Sequence, residues 1–156
     1  MSQHVADRIL AAIESRLALV PALSGRVYAQ PLSALDEARL PAAIIDDVED
    51  EVVGETGFFP VEEQHALRLT VFVCQMASAA SFRPALASLH HDVEQALVGS
   101  IDARTLSGLL TVGLKRVAAT YVVDADALQK PVGGWRISFT CTYFLRSDQP
   151  GLVEKE

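Results

Sequence analysis

From Gln64 to Met76 the chain alternates without a break. Leu67, Leu69, Val71 and Val73 fall on one side, and Arg68, Thr70, Phe72 and Cys74 on the other. A period of two belongs to a β-strand with one apolar face. At about 3.3 Å per residue the run reaches roughly 40 Å, well beyond the usual five or six residues. It is either a long core strand, shortened by a bulge or bend, or an arm that leaves the domain. A second run behaves alike: Trp135, Ile137, Phe139, Cys141, Tyr143 and Leu145 share one face, and Arg136, Ser138, Thr140, Thr142 and Phe144 share the other.

Other segments supply the remaining elements. Residues 3–20 carry Val5, Ile9, Ile13, Leu17 and Val20 at helical spacing, with Ser2 as a cap and Pro21 as a stop. Residues 81–98 repeat the pattern with Phe82, Leu86, Leu89, Val93 and Leu97, and Gly99 stands at the C-terminal cap position. Short strands are predicted at 26–29 and 42–45. Residues 31–40 read as a connector, 101–113 are ambiguous, and 114–123 form a strand with Leu114, Arg116, Ala118, Thr120 and Val122 on one side. Residues 124–134 form a long turn containing Pro131 and Gly133-Gly134. The order is α-β-β-β-α-β-β. It predicts an α/β (α+β) fold, a mostly antiparallel sheet of about five strands with two helices on one face. One domain spans 1–150, and residues 151–156 form a frayed tail.

The chain has 156 residues, half of them apolar, enough for one domain with a real core. Its formal net charge of −7 argues against a protein that holds nucleic acid by neutralising phosphates. It does not exclude one that DNA must pass without sticking. No apolar run approaches the roughly 20 residues of a membrane span. Cys74 and Cys141 both sit inside strand patterns and read as reduced core residues.

The acids are concentrated. Between Ile44 and Glu63 stand Asp46, Asp47, Glu49, Asp50, Glu51, Glu55, Glu62 and Glu63, with no Lys or Arg. The plain reading is a solvated loop, and like charge at this density keeps a loop extended unless something orders it. An EF-hand frame started at Asp46 fails, because its sixth residue is Glu51 and not Gly. A looser divalent-cation site remains an alternative, which makes a metal-dependent module on residues 46–63 a lesser reading. At the tip of the stretch stand Phe58 and Phe59, which either meet a partner or fold back onto the domain. The turn offers Asp124, Asp126, Leu128 and Lys130 as further contact candidates, against the plain reading of a hairpin loop. His90 and His91 are adjacent on a helix and point apart, unlike a metal-binding i, i+4 pair. The sequence contains no HExxH, CxxC, GxSxG or phosphate loop, so no catalytic residue, metal ligand or cofactor is assigned.

The whole pattern resembles a known family. "LPAAII" (Leu40–Ile45) follows an N-terminal helix. A loop leads into "HALRLTVFV" (His65–Val73), then comes the helix "FRPALASLHHDVEQAL", and the chain closes on "GGWRISFTCTYFLRSDQP" (Gly133–Pro150). In element order and pattern this is similar to the tail terminator (tail completion) proteins of long-tailed bacteriophages. The resemblance covers nearly the whole chain and includes no invariant catalytic motif. It implies a structural, non-enzymatic virion protein, assembled in the host cytoplasm. Copies would form a homo-hexameric ring that caps the head-proximal end of the tail tube and stops its growth. The ring's partners would be the tail tube protein and the head–tail connector, and DNA would pass through its lumen without specific binding. Another neck protein, of the head-closure type, is the neighbouring alternative. On this reading the acidic stretch either lines the lumen and repels DNA or lies on a ring face with Phe58 and Phe59 as anchors.

Overall fold

In α1 (Val5–Ala18) the helical stripe is buried at Val5, Ile9, Ile13 and Leu17. His4 caps it, its Nδ1 accepting from the Ala6 amide at 3.1 Å, so the helix begins later than the Ser2 cap implied. Pro21 does not continue the helix. It opens a 3₁₀ turn, Pro21–Leu23, that leads through the left-handed residues Ser24 and Gly25 into β1 (Val27–Tyr28). The computed structural model describes residues 4–29, 40–76, 82–124, 132–146 and 149–152.

The remaining elements are β2 (Ala42–Glu55), β3 (Glu62–Met76), α2 (Phe82–Val98), α3 (Ile101–Arg104), β4 (Val112–Asp124), β5 (Val132–Arg146) and β6 (Gln149–Leu152). The strands lie in the order β1-β2-β3-β5-β4, with β6 paired to β5. Among the described residues only the two-residue β1–β2 contact is parallel. This is the mostly antiparallel α+β sheet that the alternating runs predicted. The pairing of β3 with β5 is unbroken from Glu62 opposite Arg146 to Met76 opposite Val132. Chain order adds to the prediction the short helix α3 after α2 and, from the C-terminal segment, β6 through Leu152.

One face of the sheet carries the core. Leu67, Leu69, Val71 and Val73 of β3 join Ile137, Phe139, Cys141 and Tyr143 of β5, and this layer packs against the stripes of α1 and α2. Burying each large aliphatic side chain contributes about 1.5–3 kcal/mol, so this layer dominates the fold's stability. On the opposite face Ala42, Ile44, Cys74 and Val132 form a small second cluster under Tyr28, Leu40 and Phe72. The two free cysteines are both buried, one in each cluster, and burial pushes both thiols up to about 12.

Two departures from simple alternation matter. In β4 the register shifts between Arg116 and Ala118, which takes Ala118, Thr120 and Val122 off the face of Leu114. Ala119 and Tyr121 therefore oppose Ile137 and Trp135 on the helix-covered side. In β5, Gly134 lies where no side chain fits: a Cβ there would run into the Val73 carbonyl oxygen. Gly99, by contrast, is not left-handed, and its lack of a Cβ avoids a contact 2.5 Å from the Gln95 carbonyl oxygen. The segment left ambiguous by periodicity holds α3, capped by Ser100, whose Oγ accepts from the Ala103 amide at 3.0 Å. Arg16 reaches across from α1 to donate to Asp102 Oδ2 at 2.8 Å and Ser107 Oγ at 2.7 Å, which ties this segment to the first helix.

Candidate interaction surface

The acidic stretch is not a loop. Asp46, Asp47, Glu49, Asp50, Glu51 and Glu55 all lie within β2, which runs ten residues beyond the predicted end at Ile45. The physical reason is the partner strand. β3 offers backbone groups along its full length, and pairing continues from Asp46 opposite Thr70 to Glu55 opposite Glu63. The repulsion expected of a free acidic loop is met by cations and donors that β3 and β5 supply.

Two bulges set where each acid points. The register shifts between Asp46 and Glu49, at the left-handed Asp47 (φ 50°), and again between Val52 and Gly54. Aspartate tolerates the left-handed region better than most residues. Before the first bulge, Asp46 is on the open face of the sheet and accepts from Arg136 Nη1 at 3.3 Å. Arg136 in turn lies over the Phe72 ring, 4.7 Å from its centroid. Burial raises the Asp46 carboxyl above its ordinary value, Arg136 lowers it, Asp47 raises it, and the net shift is upward. Its Oδ1 is buried without a hydrogen bond. After the bulge, Glu51 faces Arg68 at 3.6 Å, an exposed pair that contributes under 1 kcal/mol or so.

Asp50 turns to the other side. Its Oδ2 accepts from Tyr143 Oη at 2.5 Å, and its Oδ1 lies 3.1 Å from His65 Nδ1. His65 stacks on Tyr143 with ring centroids 4.8 Å apart and planes 20° from parallel. Glu63 Oε1 is 3.6 Å from the far ring nitrogen, Nε2, which makes no hydrogen bond. Burial first, then the Asp50 hydrogen bond and charge, hold the Tyr143 hydroxyl neutral far above its ordinary range. A single acid of the run is thereby anchored into the end of the core.

The tip is different. Phe58 and Phe59, between β2 and β3, are 73% and 78% exposed and do not fold back onto the domain. Thr56 steadies the turn: its Oγ1 accepts from the Glu62 amide at 2.9 Å, and its own amide donates to the Glu62 carbonyl at 3.0 Å. Val48, Val52 and Val53 are also about half exposed along the hairpin. Of the turn candidates, Asp124 is the last residue of β4, and Asp126, Leu128 and Lys130 lie outside the described residues.

The residues that order the acids, His65, Tyr143, Arg68 and Arg136, carried a legible signal that composition hides. His65 shares parity with Leu67 and Val71, so a strand frame alone places an imidazole on the core face. His90 on α2 is partly exposed, its ring tilted against Trp135 with centroids 4.7 Å apart, and its Nε2 lies 2.7 Å from Glu94 Oε1. Arg116 Nη1 donates to the same oxygen at 2.5 Å.

Among the described residues no three His, Cys, Asp or Glu side chains converge in a way that could hold a metal ion. No described helix is long and apolar enough to cross a membrane. No family model matches the chain, and no curated protein matches it. Its geometry is that of an α+β sheet with an acidic hairpin, anchored at one carboxylate and ending in two exposed aromatic rings.

Proposed function

We propose that the chain is a structural ring subunit, a tail terminator of a long-tailed bacteriophage. In this role six copies cap the tail tube, stop its polymerisation and present a surface to the head connector. The observation that carries the reading is the pair Phe58 and Phe59, exposed at the end of an ordered acidic hairpin. Large aromatic side chains in water are costly unless another surface covers them, and aromatics are the residues that anchor interfaces. The element order quoted from the sequence supports the same family. The ladder-paired acids favour the ring-face placement, because Asp46 and Asp50 are already engaged with Arg136 and Tyr143 and do not all project into a lumen.

Electron microscopy of the purified protein, applied to tail tubes and alone, tests the proposal. Six-fold rings, or density at one end of each tube, are expected. Random adsorption along the tubes together with no rings in the free protein contradicts it.

A further inference from the structure

Both edges of the sheet are open among the described residues, and they differ in charge. On β2 the only outer partner is β1, which covers Ala43 and Ile44 and nothing beyond. From Ile45 to Glu55 the outer backbone groups of β2 therefore face away from the domain, flanked by six acids and no base. At the other edge β4 pairs with β5 alone. Between Val112 and Val123 it carries Lys115 and Arg116 and no acid. Both edges also expose apolar side chains: Val48, Val52 and Val53 on β2, and Val112 and Val117 on β4.

We infer that the β2 edge of one copy adds to the β4 edge of the next, joining the subunits through continuous sheet. The inference rests on the ring reading for closure and supplies the interface that this reading lacks. Unpaired edges invite strand addition, and proteins usually block it with charge and bulges. Here those devices are selective. Two β2 edges repel each other, whereas β2 against β4 brings acids to Lys115 and covers the exposed valines on both sides. Such a contact is heterologous, so it closes into a ring or runs on as a filament. Within one chain β2 and β4 run antiparallel, since β2 opposes β3, β3 opposes β5 and β5 opposes β4. A rotation axis along the strands preserves their direction, which makes the junction between copies antiparallel, like the long junctions inside each copy.

The test is a charge exchange followed by mixing. One variant carries Glu49→Lys with Glu51→Lys. The other carries Lys115→Glu with Thr120→Glu, which leaves the Arg116–Glu94 pair intact. All four side chains are exposed, and circular dichroism checks that both variants fold. Sedimentation velocity is expected to show each variant alone associating at least tenfold more weakly than the natural protein. An equimolar mixture regains assembly, because each basic edge now meets an acidic one. If both folded variants assemble normally, or the mixture stays dissociated, the edge contact is wrong and the ring reading stands. A natural protein that stays monomeric in solution and caps no tail tube overturns both.

Discussion

Tyr143 on β5 reaches across β3 to donate its hydroxyl to Asp50 on β2, at 2.5 Å. The bond joins two strands that are not neighbours and passes beside the His65 ring that stacks on Tyr143. It fixes the base of the acidic hairpin to the end of the core.

Removing that hydroxyl leaves the Asp50 carboxylate short of its shortest donor. Hydrogen bonds to charged groups contribute about 1.5–3 kcal/mol, so Tyr143→Phe is expected to cost roughly 2 kcal/mol in urea unfolding at pH 7. Asp50→Asn added to Tyr143→Phe costs less than the sum of the two. The alkaline limb carries a second signature. The folded-state hydroxyl is raised above its ordinary value of 10.0. Stability from this group is thus complete below pH 10 and falls as pH rises toward the folded value, while the unfolded chain ionises. Tyr143→Phe flattens that decline. An unchanged alkaline slope contradicts the assignment.

Glu94 gives the acid-side counterpart. Burial raises its carboxyl, but hydrogen bonds from Arg116 and His90 outweigh burial, and the net shift is downward from 4.5. A lowered acid adds stability that is present above its unfolded value and lost as pH falls through the folded one. Glu94→Gln should therefore cost about 1 kcal/mol at neutral pH. Its stability should approach that of the natural protein as pH falls below 4.5 and through the lowered folded value, as followed by thermal melts across pH. A constant difference at every pH contradicts this.

Gly134 tests the tightest approach in the sheet. A methyl group at this position meets the Val73 carbonyl oxygen and the Cys74 backbone, neither of which can rotate aside. Gly134→Ala should cost about 3 kcal/mol, at the upper end of overpacking effects, and chemical denaturation reads it directly. A change within about 0.5 kcal/mol contradicts so close an approach of β3 to β5.

The hairpin tip separates folding from assembly. Phe58→Ser with Phe59→Ser removes two exposed rings, so the monomer's unfolding midpoint should hold to within about 0.5 kcal/mol. Binding to tail tubes should drop by at least tenfold, as aromatic anchors do when truncated. A pelleting assay with purified tubes measures it. Unimpaired binding removes the tip from the contact.

Periodicity was a good guide where one force acted alone. The runs in β3 and β5 and the stripes of α1 and α2 are set by burial against a single core, and their faces follow directly from residue spacing. Residues 46–55 were harder, because their composition argues for a loop and only β3 makes them a strand. That long-range pairing overrides local propensity. The bulge near Val117 is invisible for a related reason. Val117 is apolar yet 64% exposed, and its place depends on the register with β5, not on its neighbours in sequence. The contacts of Asp50 were equally hidden, since Tyr143 stands 93 residues away. His65, at a core parity, announced a polar group inside the sheet, and Tyr143 stood on the apolar face of its own run.

Native mass spectrometry over a protein concentration series tests the ring most directly. A discrete hexamer that grows with concentration is the predicted result, with dissociation at high salt if the acidic and basic edges hold it together. A monomer at every concentration that also fails to cap one end of purified tail tubes contradicts the account.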